Sequence, residues 1–228
     1  MAILKVNQLS LGYENQVVIN NISFEVNNKD FVLVIGSNGV GKSTLIKGIL
    51  GIIKPISGEI TRDLNSKNIG YMPQETKVDK NFPASVMEIV LSGLINKMGR
   101  RPFYNKEDKD KAREALRILK IENLEKKIFS ELSGGQRQKV LLARSLCATT
   151  NLLILDEPSN NLDQESKVDF YCTLKHLNEG HGITIIMITH DISRDRDAFI
   201  GNKVLELRSD GYFYGSTDEY MEELGYDS

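Results

Sequence analysis

Apolar and polar positions alternate along the first part of the chain: Ile3-Leu4-Lys5-Val6, then Val17-Val18-Ile19, then Ile22-Ser23-Phe24-Glu25-Val26. A period of two marks strands with one buried face. Gly12, Asn15 and Asn27-Asn28 interrupt the alternation, so it predicts short antiparallel strands joined by turns. At Phe31 the pattern changes. Phe31-Val32-Leu33-Val34-Ile35 is unbroken and rich in β-branched residues, as in a strand covered on both faces. It runs into a glycine-rich turn and a helix-forming stretch at 42–50.

The middle third carries two or three helical patterns between about 85 and 127. One of them, 105–120, is highly charged, with Ala112, Ala115, Leu116 and Leu119 on one face. Its lysines and arginines read as a solvated face rather than a surface for nucleic acid or lipid headgroups. After it, 152–155 reads as a buried strand, 164–177 as a helix and 183–188 as a second buried strand. Short strands follow near 203–207 and 212–214. Buried strands alternating with helices imply a mostly parallel sheet. The expected fold class is therefore α/β, with an antiparallel β part at the N-terminus. A helical part, approximately 76–149, is inserted in a core made by approximately 1–75 and 150–228.

Composition narrows the function classes. The chain has 228 residues, 40% of them hydrophobic, enough for one substantial core or a core with a smaller lobe. A formal net charge of −2 gives no reason to expect a nucleic-acid surface. Two cysteines, Cys147 and Cys172, lie in apolar-periodic stretches and read as buried, reduced thiols. His176, His181 and His190 lack the clustering of a zinc site. The opening MAILKVNQLSLGY has no basic segment leading into a long apolar run, so no signal peptide is expected. No apolar run reaches the ~18 residues that span a bilayer. Any membrane role is expected to come through a partner.

Three motifs carry chemistry. Gly36-Ser37-Asn38-Gly39-Val40-Gly41-Lys42-Ser43-Thr44 fits GxxxxGK[ST] and lies between a buried strand and a helix. Its glycines let several backbone N–H groups face one anion, and the helix start adds its positive end. Lys42 can reach β- and γ-phosphates, and the Ser43 hydroxyl is a suitably hard ligand for Mg²⁺. The second motif is Leu152-Leu153-Ile154-Leu155-Asp156-Glu157, an apolar strand ending in two carboxylates. Asp156 is placed to hold Mg²⁺ and Glu157 to orient or deprotonate an attacking water. In the third, Leu132-Ser133-Gly134-Gly135-Gln136 opens a helix, with Ser133 as its expected N-cap and two glycines baring backbone N–H groups.

The string ELSGGQRQKVLLARSL ahead of LLILDEP resembles the signature region of ABC ATPases, and the resemblance covers essentially the whole chain. It implies a P-loop NTPase core and hydrolysis of ATP with Mg²⁺. It also implies roles for further residues. Tyr13 would stack on adenine. Gln74, in Gly70-Tyr71-Met72-Pro73-Gln74, would contact Mg²⁺ and the attacking water. His190 would contact the γ-phosphate, and Asp191 follows it. Ser159-Asn160-Asn161-Leu162-Asp163 looks like the D-loop, departing from the commoner Ser-Ala-Leu-Asp ending; its extra amides could bond across a dimer seam. The family works as a head-to-tail dimer, so Ser133, Gly134, Gly135 and Gln136 of one chain would close over ATP held by the other.

One cassette without membrane spans resembles an importer motor. That implies an integral-membrane permease, indirectly a substrate-binding protein, and a place on the cytoplasmic face of the membrane. Phe82-Pro83-Ala84-Ser85-Val86, Met87-Glu88-Ile89-Val90 and Ser92-Gly93-Leu94 are similar to zinc- and manganese-type importer ATPases. Importers of siderophores, haem or cobalamin, and soluble ABC ATPases without a transporter, are the alternatives.

Overall fold

The computed structural model describes residues 1–14, 16–63, 68–74, 83–149, 151–160, 162–190 and 200–225. Its N-terminal part is built on two long strands, β1 (Ala2–Tyr13) and β2 (Gln16–Asn27). The several short strands expected there are continuous. Register shifts along the β1–β2 ladder absorb the irregular positions, and Gly12 pairs with Val17 inside it. Asn15, expected as a turn residue, lies outside the described residues.

β3 (Phe31–Gly36) follows and leads into α1 (Lys42–Ile49). β4 (Ser57–Arg62) returns to pair with β1, giving a three-stranded antiparallel sheet in the order β2-β1-β4. β4 has no apolar alternation strong enough to mark it in the sequence. β5 (Ile69–Met72) enters the main sheet. The next elements are helices: α2 (Val86–Ser92), α3 (Lys106–Ile118) and α4 (Gly134–Ala148). β6 (Leu152–Asp156), α5 (Gln164–His181) and β7 (Thr184–Ile188) restore the alternation. β8 (Lys203–Arg208), β9 (Gly211–Ser216) and α6 (Thr217–Glu223) complete it.

Among the described residues the main sheet has six strands, in the order β5-β6-β7-β3-β8-β9. All pairings are parallel except β8 with β9. Successive side chains of its strands point to opposite faces, and both faces are buried. Val32, Val34, Ile154, Ile186 and Ile188 pack towards α1 and the antiparallel sheet. Leu33, Ile35, Leu155, Ile185 and Met187 pack towards α2–α5. The apolar face expected on the charged helix is there: Ala112, Ala115, Leu116 and Leu119 are all buried in α3 or at its C-cap.

Cys147 is buried as expected, and burial pushes its thiol up to about 12. Cys172 is not buried. It lies on α5, whose buried residues Phe170, Leu174 and Leu177 define a different face. Among the described residues there is no disulfide and no group of three or more His, Cys, Asp or Glu able to hold a metal. Nor is any described helix long and apolar enough to cross a membrane.

Candidate functional site

The parallel order places the carboxyl ends of β3, β5, β6 and β7 along one edge, where open α/β sheets collect ligands. The turn after β3 is the least ordinary backbone there. Gly36, Gly39 and Gly41 have φ of 139°, 81° and 115°. A Cβ on Gly36 would stand 2.4 Å from the carbonyl oxygen of Leu207, and one on Gly41 would stand 2.9 Å from Ile19. Gly41 is the N-cap of α1 and makes no side-chain cap, so the first N–H groups of that helix face the turn.

Lys42 is the first residue of α1 and is buried. Its ammonium folds back and donates to the carbonyl oxygens of Gly36 (2.8 Å) and Ser37 (2.9 Å). Burial lowers its pKa, and the carboxylates of Glu157 and Asp156 work in the opposite direction. Asp156 ends β6 and is buried; desolvation and then the neighbouring Glu157 raise its pKa, against the pull of Lys42.

Glu157 is the hub. It leaves β6 with φ 48°, a left-handed backbone that a non-glycine residue holds only under constraint. Its amide donates to the carbonyl of Ile188 (3.1 Å), which anchors it to the end of β7. Three side chains then converge on its carboxylate. Gln74 Nε2 donates to Oε2 at 2.5 Å, and Asn160 Nδ2 donates to the same oxygen. His190 Nε2 lies 2.6 Å from Oε1. Gln74 follows β5, Asn160 follows β6 and His190 follows β7, so parallel strand order brings together residues distant in sequence.

A cavity of about 500 Å³ is lined by Asn38, Gly39, Gly41, Lys42, Ser43, Thr44, Gln74, Glu157 and His190. Gly36 and Ser37 supply the carbonyls that hold Lys42, and Asp156 precedes Glu157 as the last residue of β6. Tyr13, 44% exposed at the end of β1, is tied to this site through α1. Lys47 Nζ donates to its hydroxyl at 3.3 Å and lies 5.6 Å from its ring centroid. Hydrogen bonding with Thr44 and then with Lys47 lowers the Tyr13 pKa.

The signature residues stand elsewhere. Ser133 is the N-cap of α4: its Oγ accepts from the Gln136 amide (3.3 Å), and Gln136 Oε1 accepts from the Ser133 amide (3.2 Å). Gly134 begins the helix. Ser133, Gly135 and Gln136 line a separate cavity of about 290 Å³, with Lys120, Lys139 and Asp169 among its other walls.

Two residues of the site were not legible as such. Lys47, which meets Tyr13, belongs to none of the motifs read from the sequence. Asn160 was visible as a departure from the usual loop, with an amide that could bond across a dimer seam; within the chain it donates to Glu157. Asn161, Asp191 and Phe82 lie outside the described residues. The donor set suits a hard cation: the Ser43 hydroxyl, the Gln74 amide oxygen and the Asp156 carboxylate are oxygen ligands. A divalent ion there would also relieve the repulsion between Asp156 and Glu157.

Comparison with known proteins gives a consistent neighbourhood. The family model described as ABC transporter matches residues 19–160. The high-affinity zinc uptake system ATP-binding protein of Bacillus subtilis is 36% identical over 197 residues, covering 84% of this chain and 85% of its own. The manganese transport system ATP-binding protein of the same organism is 34% identical, covering 90% and 84%. An inward-facing structure of a putative metal-chelate type ABC transporter superposes with a TM-score of 0.86 at 33% identity, covering 96% of this chain and 85% of that one. A dimeric ATP-binding cassette in a post-hydrolysis state, bound to ADP and phosphate, superposes with a TM-score of 0.69 at 26% identity, covering 90% and 94%.

Proposed function

The chain belongs to the ABC transporter family, as an ATP-hydrolysing subunit, and from that premise we propose that it drives an importer of divalent metal ions of the zinc or manganese kind. The observation that carries the ATPase part is the convergence of Gln74, Asn160 and His190 on Glu157, in a cavity that Glu157 lines together with the glycine-rich turn.

In this reading the β- and γ-phosphates enter the turn of Gly36, Ser37, Asn38, Gly39 and Gly41. Lys42 exchanges its two backbone carbonyls for phosphate oxygens. Thr44 lines the floor, and Tyr13 stacks on the adenine. Ser43, Gln74 and Asp156 would hold Mg²⁺, which when bound neutralises developing phosphate charge. Glu157 accepts a proton from, or orients, the attacking water, and His190 moves from the carboxylate to the γ-phosphate. Oxygen from water joins the γ-phosphorus as the bond to the ADP oxygen breaks, giving ADP and inorganic phosphate.

Ser133, Gly134, Gly135 and Gln136 line no part of their own chain's phosphate cavity. That separation supports a head-to-tail dimer in which they close over the ATP of a second copy. The helical part, approximately 76–149, would dock an integral-membrane permease at the cytoplasmic face, with a substrate-binding protein beyond it. No nucleic acid is required as a partner.

The metal assignment is supported by the zinc and manganese uptake relatives. Uptake of a chelated metal is the second reading, favoured by the metal-chelate type neighbour. The test is purification of tagged chain from detergent-solubilised native membranes, followed by uptake assays in a strain lacking it. Recovery of a multi-span permease and loss of free zinc or manganese uptake support the reading. Loss of chelate uptake alone favours the second. Recovery of ribosomes or nucleic acid without a membrane protein contradicts both.

A further inference from the structure

We infer that Asn160 is a positioning residue for hydrolysis: its amide, in the same chain, fixes the orientation of the Glu157 carboxylate. The inference rests on the reading of Glu157 as the carboxylate that acts on water. The turn after β6 is built to aim this side chain. The Asn160 amide nitrogen donates to the Glu157 carbonyl (3.2 Å), folding the chain back over the carboxylate. Between them, Ser159 is buried, with its hydroxyl 2.7 Å from that of Tyr171 on α5, which anchors the turn to a helix. The side-chain Nδ2 of Asn160 then meets Oε2 of Glu157.

Glu157 Oε2 accepts from two amides, and the two differ in kind. Gln74 follows another strand, β5, and is one of the residues proposed to hold Mg²⁺. Asn160 is three residues from Glu157 on one anchored turn. When Gln74 leaves, Asn160 is the donor that keeps Oε2 turned away from the reacting water, so that Oε1 faces it. A neutral amide is the suitable group there: it donates to a carboxylate without supplying a charge that would compete with Lys42 or repel phosphate.

The experiment measures phosphate release and nucleotide binding by the full chain carrying Asn160→Ala, Asn160→Asp or Asn160→Gln. Removing one charge-assisted hydrogen bond made to the reacting group should lower kcat about tenfold in Asn160→Ala. Asn160→Asp keeps the shape but sets a second carboxylate against Glu157, and should lower kcat further. In both, the ATP dissociation constant should stay within about twofold, because ground-state binding is untouched. Asn160→Gln keeps the amide and should recover most of the loss. Parental kcat in Asn160→Ala and Asn160→Asp, with Glu157→Gln inactive, overturns the role of Asn160 alone. Equal losses of kcat and affinity in all three variants overturn it in favour of a structural role. A Glu157→Gln variant as active as the parent removes the reading of Glu157 and this inference with it.

Discussion

Asp156→Asn should stabilise the nucleotide-free protein while disabling it. Asp156 is buried at the end of β6, and its pKa is raised above 3.8 by desolvation and by Glu157. A carboxyl that is more easily protonated in the fold than in the unfolded chain makes the fold less stable as pH rises from about 4 through its raised pKa. Above that raised pKa the whole of the cost is present. An asparagine of the same shape removes the buried charge and its repulsion with Glu157, and gives up the attraction of Lys42. Burial and the Glu157 charge together outweigh that attraction, which is why the pKa is raised.

Relief of such a functional-site cost is on the order of 1 kcal/mol, which raises the melting midpoint of a chain this size by about 2–4 °C. The assay is thermal unfolding of parent and variant at pH 7 without nucleotide or metal, repeated with saturating Mg-ATP. Ligand at a hundred times its dissociation constant stabilises the parent by about 2.7 kcal/mol. The variant should gain much less from Mg-ATP and should hydrolyse at least ~100-fold more slowly, since the ion loses its carboxylate. A lower melting midpoint for the nucleotide-free variant refutes the electrostatic argument. Undiminished Mg²⁺-dependent turnover refutes the assignment of Asp156 to the ion.

Two more outcomes test the site's outer parts. Tyr13→Ala should weaken ATP binding about tenfold through loss of one base-stacking ring, while Tyr13→Trp keeps it, as read by isothermal titration with a non-hydrolysable analogue. Ser133→Ala should lose about 1 kcal/mol of α4 capping as well as turnover, whereas Ser133→Asp caps the helix equally well and melts like the parent. Ser133→Asp should nonetheless hydrolyse no ATP, because its carboxylate would meet the γ-phosphate of the other chain; parental turnover in that variant removes the signature serine from the site.

The sheet was legible where burial on both faces wrote itself as unbroken apolar runs, as in Phe31–Gly36 and Leu152–Asp156. Motifs could then be placed on strand ends without knowing the strand order. The N-terminal hairpin was legible in type but not in extent. Bulges let strands continue through residues such as Gly12 that end a strand in an alternation count. β4 escaped because its burial pattern leaves it largely exposed. Cys172 was misplaced since an apolar-looking neighbourhood on a long helix does not say which face a residue takes. In the site, chemistry-bearing residues were visible by type, but partnerships were not. That Gln74, Asn160 and His190 all meet Glu157 follows from β5, β6 and β7 being neighbours, and strand order is a property of the whole sheet rather than of any segment.

Central to the account is that ATP is held between two copies and released by hydrolysis at Glu157. Sedimentation velocity of Glu157→Gln, with and without Mg-ATP, tests this most directly. A single 25.7 kDa species without nucleotide that converts with Mg-ATP to one of twice that mass is the predicted result. A species whose mass is the same with and without Mg-ATP would contradict it.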